Sequence, residues 1–281
     1  ADEPGQHSSQ NEQDNRHYAK AAKIAMMEPS DSQEARDFMK EAFEISEQFD
    51  TPILMRMTTR LCHSKGIVEC AERADVPAKK YEKNIAKHLN PPAIAKKQRI
   101  LLEDRLAKLK EFSETTHLNR IEDNGKKVGV VVSGMCYCYA KEVFGDDVNY
   151  LKLGFTYPLP SELIKKFCTG LDTIYVIEEN DPILEEEIQR VGFAPKGKNT
   201  FPAYDELTSD VIRKCAFGKT FESVDYDRTK VVARPPALCA GCPHRGLFYE
   251  LGKKKNVLPP VMDSIQAARF MDSIHRLYLN E

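Results

Sequence analysis

The stretch 128–188, VGVVVSGMCYCYAKEVFGDDVNYLKLGFTYPLPSELIKKFCTGLDTIYVIEENDPILEEEI, decides the fold class. Three short apolar runs, Val128 to Val132, Tyr150 to Leu153 and Thr173 to Ile177, each lead to a helical pattern, which starts after Gly134, after Pro160 and after Pro182. Apolar runs of this length bounded by Gly and Pro read as strands, and their alternation with helices predicts a parallel sheet flanked by helices. Ligands and neighbouring domains meet such sheets at the carboxyl ends of the strands, where Ser133, Gly134, Glu178, Glu179 and Asn180 fall. The phosphate-cradling form G-x-G-x-x-G is absent, so this half does not read as a dinucleotide domain. Glu178 and Glu179 stay open to two readings, acid/base groups or carboxylates solvated or paired with a helix N-terminus, and the second is the simpler.

Toward the N-terminus, residues 1–16, ADEPGQHSSQNEQDNR, carry almost no apolar side chain and turn at Pro4-Gly5, so they read as loop. Ser30 and Gln33 resemble a capping box, and Phe38, Met39, Ala42 and Ile45 recur at helical spacing, which predicts a helix from about Asp31 to Gln48. Residues 52–58 alternate as a strand whose end delivers Thr59, Arg60, Cys62 and His63 to a loop. Between about Asp75 and Arg120 the composition turns strongly charged. Pro91 and Pro92 separate two helical stretches, and the second sets Leu102, Leu106, Leu109 and Phe112 on one face, a stripe too short for a coiled coil. The expected organisation is therefore 1–74 as the closing part of one α/β domain, 75–125 as a charged helical linker, 126–230 as a second α/β domain and 231–281 as the start of a third region.

The 281 residues, 41% of them hydrophobic, suffice for one large core or two ordinary ones. With 41 Lys plus Arg against 43 Asp plus Glu, the net charge of -2 provides no basic field for nucleic acid or an anionic membrane. No apolar run is long enough to span a bilayer, and the first residues do not form a secretory leader; both point to a cytoplasmic protein. The 8 cysteines are scattered, which fits reduced thiols rather than a disulfide framework. The chain begins with Ala1 directly inside a dense polar motif and reads as an internal piece of something longer.

Two segments concentrate chemistry. Cys239-Ala-Gly241-Cys242-Pro-His244-Arg245 contains a C-x-x-C pair that half-builds a zinc site, forms a redox couple or shapes a loop beside a pocket. A structural zinc needs four ligands and an iron-sulfur cluster four thiolates; no second pair follows, so no metal is assigned and the loop-shaping reading is preferred. His7, Ser8, Ser9, Gln10, Asn11 and Arg16 crowd donors and acceptors beyond what solubility needs. Arg16 there is a fork-shaped candidate for an anion, although a solvated loop remains the alternative. His63 and His117 read as ordinary surface histidines.

Taken in order, DEPGQHSSQNEQDNR at 2–16, EPSDSQEARDF at 28–38, TPILMRMTTRLCHSKG at 51–66, VGVVVSGMCYCYAKE, LKLGFTYPLP, VIEENDPILEEEI and ALCAGCPHRGLFYEL at 237–251 resemble the alpha subunit of indolepyruvate ferredoxin oxidoreductases, in the thiamine-diphosphate-dependent 2-oxoacid:ferredoxin oxidoreductase family. The resemblance covers about residues 1–256 and implies the remainder of a pyrimidine-binding domain, a transketolase C-terminal-like domain and the opening of a diphosphate-binding domain, with Ala240 where the family carries proline. It implies oxidative decarboxylation of an aryl 2-oxoacid to an acyl-CoA with ferredoxin as electron acceptor, and a smaller beta subunit as partner. By the same resemblance His7, Ser8, Ser9, Gln10, Asn11 and Arg16 border the cofactor and substrate, while Cys239, Gly241, Cys242, His244 and Arg245 line the diphosphate side. The family's activating glutamate, its Gly-Asp magnesium loop and its iron-sulfur cysteine clusters have no match here, and 257–281 departs from the pattern. This chain is accordingly expected to be inactive alone; a non-catalytic assembly or regulatory module derived from the family is the other reading.

Overall fold

A computed structural model describes residues 2–6, 11–73, 76–78, 80–222, 224, 226–231, 245, 246 and 249. Two compact units divide the chain, 1–221 and 222–281. In the second, a short 3-10 turn at Arg228–Lys230 is tied down by the Asp227 carboxylate, which accepts from Thr229 N (3.0 Å) and Oγ1 (2.6 Å).

The first unit opens with helix α1 (Asn15–Ala22), strand β1 (Ala25–Met27), helix α2 (Ser32–Phe49), strand β2 (Ile53–Met55) and the one-turn helix α3 (Thr59–His63). Helix α4 (Ile85–His88) and the long α5 (Pro92–Thr115) follow, with Pro91 and Pro92 at the start of α5 as a proline-tolerant first turn allows. The rest runs β3 (Asn119–Glu122), β4 (Val128–Ser133), α6 (Cys136–Phe144), β5 (Asn149–Leu153), β6 (Phe155–Tyr157), α7 (Ser161–Cys168), β7 (Thr173–Ile177), α8 (Ile183–Arg190) and α9 (Ser209–Phe217). None of the described helices is long and apolar enough to cross a membrane.

The three strands expected from 128–177 form a parallel set, β5-β4-β7, in a four-stranded sheet whose other edge is β3, antiparallel to β5. Their near-continuous burial is what helices on both faces demand. Val130, Val132, Tyr150 and Ile177 pack with Ala140 and Phe144 of α6 and Ile212 of α9 on one face. Val131, Leu151 and Val176 pack with Ile164 of α7 and Leu184 and Ile188 of α8 on the other. The mixed α/β class with parallel strands and flanking helices is thus as expected from the sequence.

The second sheet is small, in the order β2-β1-β6, with β1 and β2 parallel and β6 antiparallel to β1. Helix α2 covers it with Phe38, Ala42 and Ile45, joined by Leu109 of α5 and Phe155. The cap of α2 differs from the Ser30/Gln33 box. Asp31 is the N-cap and accepts from Glu34 N (2.8 Å), while the Glu34 carboxylate reaches back to Ser30 N and Oγ (2.8 Å each). Glu34 is also bound to Lys152, a fully buried lysine of β5, and to Arg120 (2.9 Å), which together hold its carboxyl down at about 2 despite burial.

Gly154, between β5 and β6, has no room for a side chain: a Cβ there would lie 2.5 Å from the Leu118 carbonyl oxygen and 2.7 Å from the Phe38 ring. Asn119 completes that passage, its Oδ1 accepting from Gly154 N (3.0 Å) and Phe155 N (2.9 Å) and its Nδ2 donating to Ser113 O (2.9 Å).

Candidate functional site

The carboxyl ends of β1, β2, β4 and β7 converge with the N-terminal loop on a buried ion cluster. Arg56, just past β2, donates to Asp2 (2.5 Å) and to Glu28 (2.7 Å), which stands just past β1, and Ser133 at the end of β4 donates to the same Glu28 oxygen (3.3 Å). Asp2 fastens the loop further: its backbone N–H donates to Met57 O (2.9 Å), its carbonyl accepts from Thr59 N (2.8 Å), and its carboxylate accepts from Asn15 N (3.1 Å). Buried charges persist only when paired and hydrogen-bonded, and this cluster meets most of that demand internally.

Arg16 lies at the start of α1, buried, with its whole fork engaged by the protein. Nε and Nη2 donate to Asp14 (2.8 and 2.6 Å), Nη1 to Glu178 (2.5 Å), and Nη2 also to the carbonyls of Glu179 (2.8 Å) and Asp181 (2.9 Å). Burial opposes the charge on Arg16, but the Glu178 and Asp14 carboxylates hold its pKa well above the usual arginine value. Asp14 is correspondingly held at about 2, the guanidinium outweighing burial. Glu178 also caps α8, accepting from Leu184 N and Glu185 N at 3.0 Å each, so it serves the helix N-terminus that the simpler reading assigned it.

Its neighbour Glu179 faces the other way. It lines a cavity of about 230 Å³ together with Glu3, Pro4, Thr58, Thr59, Arg60, His63 and Glu206. Glu179 is buried and accepts one long hydrogen bond, from Leu207 N (3.3 Å). Burial first, and then the nearby Glu206 carboxylate, push its pKa up to about 7, against the pull of Arg56. The Thr58 hydroxyl is buried without a partner among the described residues. At the rim Arg60 grips Glu206 through Nε and Nη2, both at 2.5 Å, an exposed fork on a carboxylate. A cavity with a carboxyl at its wall whose proton is held up to about pH 7 and a guanidinium at its mouth can donate hydrogen bonds to a carbonyl or carboxylate oxygen.

Of the residues singled out from the sequence, Arg16 and the strand-end residues Ser133, Glu178, Glu179 and Asn180 are brought together. Thr59, Arg60 and His63 line the cavity, on the one-turn α3 rather than on a loop, while Cys62 is exposed. Asn11 is exposed, and Arg245 is exposed in the second unit, where it has contacts of its own. His7, Ser8, Ser9, Gln10, Cys239, Gly241, Cys242 and His244 lie outside the described residues. Asp14, His17 and Asp181 come close enough to suggest a cation, but Arg16 takes both Asp14 oxygens and His17 pairs with Asp181 (2.6 Å), so this is an ion-pair cluster. Sequence reasoning missed Asp2, Glu28, Arg56 and Glu206. The one available signal was Arg56, the single charged side chain in the run 52–58, which a buried anion explains as well as a solvent-facing position does.

No family model matches the chain. The relatives found by sequence are oxidoreductase subunits. In particular the chain is a homologue of the proteins named indolepyruvate oxidoreductase subunit IorA, as the motif resemblance implied. It is 39% identical to that of Methanothermobacter marburgensis over 275 residues, covering 92% of this chain and 44% of the relative. It is 39% identical to that of Methanothermobacter thermautotrophicus over 282 residues, 94% and 46%, and 36% identical to that of Pyrococcus abyssi over 281 residues, 90% and 43%. The chain thus spans under half the length of these relatives. Among solved structures, a 2-oxoglutarate:ferredoxin oxidoreductase from Magnetococcus marinus, with 2-oxoglutarate, coenzyme A and succinyl-CoA bound, is similar with a TM-score of 0.48 and 12% identity, over 69% of this chain and 41% of that one.

Proposed function

We propose that this chain is part of an indolepyruvate:ferredoxin oxidoreductase. The longer protein, with a beta subunit, would oxidatively decarboxylate aryl 2-oxoacids such as indolepyruvate to acyl-CoA and pass the electrons to ferredoxin. In this reading 1–74 closes a pyrimidine-binding domain, 75–125 is its helical linker, 126–230 is a transketolase C-terminal-like domain and 231–281 opens a diphosphate-binding domain. The observation that carries the reading is identity of 39% over 92% of the chain with an indolepyruvate oxidoreductase subunit.

Thiamine diphosphate, when bound with magnesium, supplies the nucleophilic carbon that attacks the keto group and the sink for the electrons left by decarboxylation. Among the described residues the fit to it is partial: the Glu179 carboxyl, pushed up to about 7 by burial, suits the polar edge of one ring or an oxoacid carboxylate, and the cavity of about 230 Å³ holds no more than that. His7, Ser8, Ser9, Gln10 and Asn11 would border the cofactor and substrate, and Cys239, Gly241, Cys242, His244 and Arg245 the diphosphate. Arg16 would act by holding the start of α1 against the end of β7, because its donors are taken by Asp14, Glu178 and two carbonyls. The described residues here thus orient a ligand and hold a proton at Glu179, and the 281-residue chain alone does not complete the reaction.

The test is reconstitution. The longer subunit carrying this sequence, combined with its beta subunit, ferredoxin, coenzyme A and thiamine diphosphate, should reduce ferredoxin when indolepyruvate is added, and the 281-residue chain should not. Reconstituted protein that is inert toward aryl 2-oxoacids would leave the non-catalytic module standing instead.

A further inference from the structure

Between α3 and the middle of α5, residues 64–101 run along the outside of the first unit, and none of those described is buried. We propose, on the reading that the chain is part of a longer subunit, that this stretch is the docking surface for that subunit's remaining segments, which meet it with an acidic face around an apolar centre.

The stretch is too apolar for a surface meant to stay in water. Ile67 is 97% exposed and Val76 80%, and Tyr81, Ile85, Leu89, Ile100 and Leu101 are each more than half exposed. The last five lie on elements that touch. Tyr81 stacks on His88 (ring centroids 6.4 Å apart), Ile85 and Leu89 are one helical turn apart, and the Gln98 side chain donates to the Ala86 carbonyl, which sets the first turns of α5 against α4. Single exposed apolar residues are ordinary, whereas a run of them on adjoining elements marks a surface that a partner covers. The backbone agrees. Among the described residues of 65–83 only Glu69 has its N–H bonded, to Gln33 Oε1 (2.7 Å), so the others are left for water or for a partner.

The charges give the chemistry of the occupant. Over 80–105 seven Lys and Arg stand against Glu82, Glu103 and Asp104. Two groups reach in from outside: Asp50 to Lys87 (2.5 Å) and Arg105 (3.7 Å), and Lys23 to Glu103 (2.5 Å), which also holds Arg99 (2.7 Å). With both counted, eight cations meet four carboxylates, and Lys80, Lys83, Lys96 and Lys97 are in no ion pair among the described residues. Lys96 and Lys97 each precede Ile100 and Leu101 by one turn, so cations rim an apolar centre, and an acidic face is the complement. Single-stranded nucleic acid is held on aromatic platforms and an anionic bilayer by a two-faced helix with aromatic anchors. Between 64 and 101 Tyr81 and His88 are the only rings, and α5 alternates charge and apolar groups without two clean faces.

Length points to the same subunit as the source. More than half of each similar indolepyruvate oxidoreductase subunit lies outside the match with this chain. Segments tethered by the chain itself meet the surface at far higher effective concentration than a separate protein does, and mixed aliphatic and charged faces are what domains of one chain present to each other.

Hydroxyl-radical footprinting of the 281-residue chain, of the longer subunit and of the longer subunit with its beta subunit tests this. Oxidation of Tyr81, Leu89 and Leu101 should be at least about fivefold slower in the longer subunit than in the 281-residue chain, with no further slowing from the beta subunit. Lys96→Glu/Lys97→Glu in the longer subunit should raise the rates again about fivefold, because like charges would then face each other. Both lysines are exposed, so the fold should survive, and circular dichroism checks it. Equal rates in the 281-residue chain and the longer subunit overturn the proposal, as does protection that ignores the charge reversal. Slowing that needs the beta subunit assigns the surface to that partner instead, and slow rates in the 281-residue chain that rise on dilution assign it to a second copy; either overturns it too. A longer subunit that oxidises indolepyruvate with these residues still reactive sinks this inference alone, and one that is inert with them protected sinks the oxidoreductase reading alone.

Discussion

Two neighbouring carboxyls at the end of β7 have been put to opposite use. On the Glu178 side every polar atom is matched: an arginine fork, two N–H groups of α8 and the Asp14 carboxylate close on one another with no cavity between. On the Glu179 side a buried carboxyl has one long bond, no ion-pair partner among the described residues and a cavity in front of it. Just past the end of β7 the two side chains still point to opposite sides, Glu178 to Arg16 and the start of α8 and Glu179 to the cavity. The difference teaches that adjacent identical residues in a strand-end motif can divide the work, one holding the start of α1 in place through Arg16 and the other facing a cavity.

Breaking the closed side should cost most. Arg16→Ala strands Asp14 and Glu178 without a cation, and truncating one member of a buried pair costs about 3–5 kcal/mol, read as a fall in the urea midpoint of the 281-residue chain. A midpoint close to that of the parent chain would show the cluster to be dispensable.

The open side should reveal itself through pH. Folding raises the Glu179 pKa from 4.5 to about 7, so the folded chain binds that proton more tightly than the unfolded one. The penalty for ionising it is absent below about pH 4.5, grows as pH rises and is complete above about pH 7, where it reaches about 3 kcal/mol. Glu179→Gln should therefore be more stable than the parent at pH 8 and level with it at pH 4.5; parallel curves for the two would mean that Glu179 is not the titrating group. Asp14 behaves with the opposite sign: lowered from 3.8 to about 2, it stabilises above pH 3.8 and loses that contribution as pH falls toward 2.

Away from both sides, Gly154→Ala pushes a methyl into the Leu118 carbonyl and the Phe38 ring and should cost about 1–3 kcal/mol in thermal unfolding. The smallest effect belongs to Arg60→Ala. Its pair with Glu206 is half exposed and is worth about 0.2–1 kcal/mol at most, so unfolding should barely change, whereas oxoacid binding to the cavity beside Glu179 should weaken.

How much of this was legible follows from the range of the interactions. The strands at 128–133, 149–153 and 173–177 and the helix 32–49 carry their patterns locally, and the sequence placed them within a residue or two. Strands β3 and β6, of four and three residues, owe their existence to partners far along the chain and have no pattern of their own. Helix α9 was overlooked although Thr208 caps it and Gly218 ends it in the left-handed region, a signal that was available. At the candidate site, Glu178 and Glu179 were flagged by position, but their division of labour depends on Arg16, 162 residues away in the chain, and no local rule reports that.

A single residue separates β5, a member of the large sheet, from β6, a member of the small one, and Asn119 bolts that step to the end of α5. The two sheets therefore share a seam rather than a hinge and should melt as one cooperative transition. A protease nick in the exposed stretch 64–73 should leave both fragments travelling together on a sizing column.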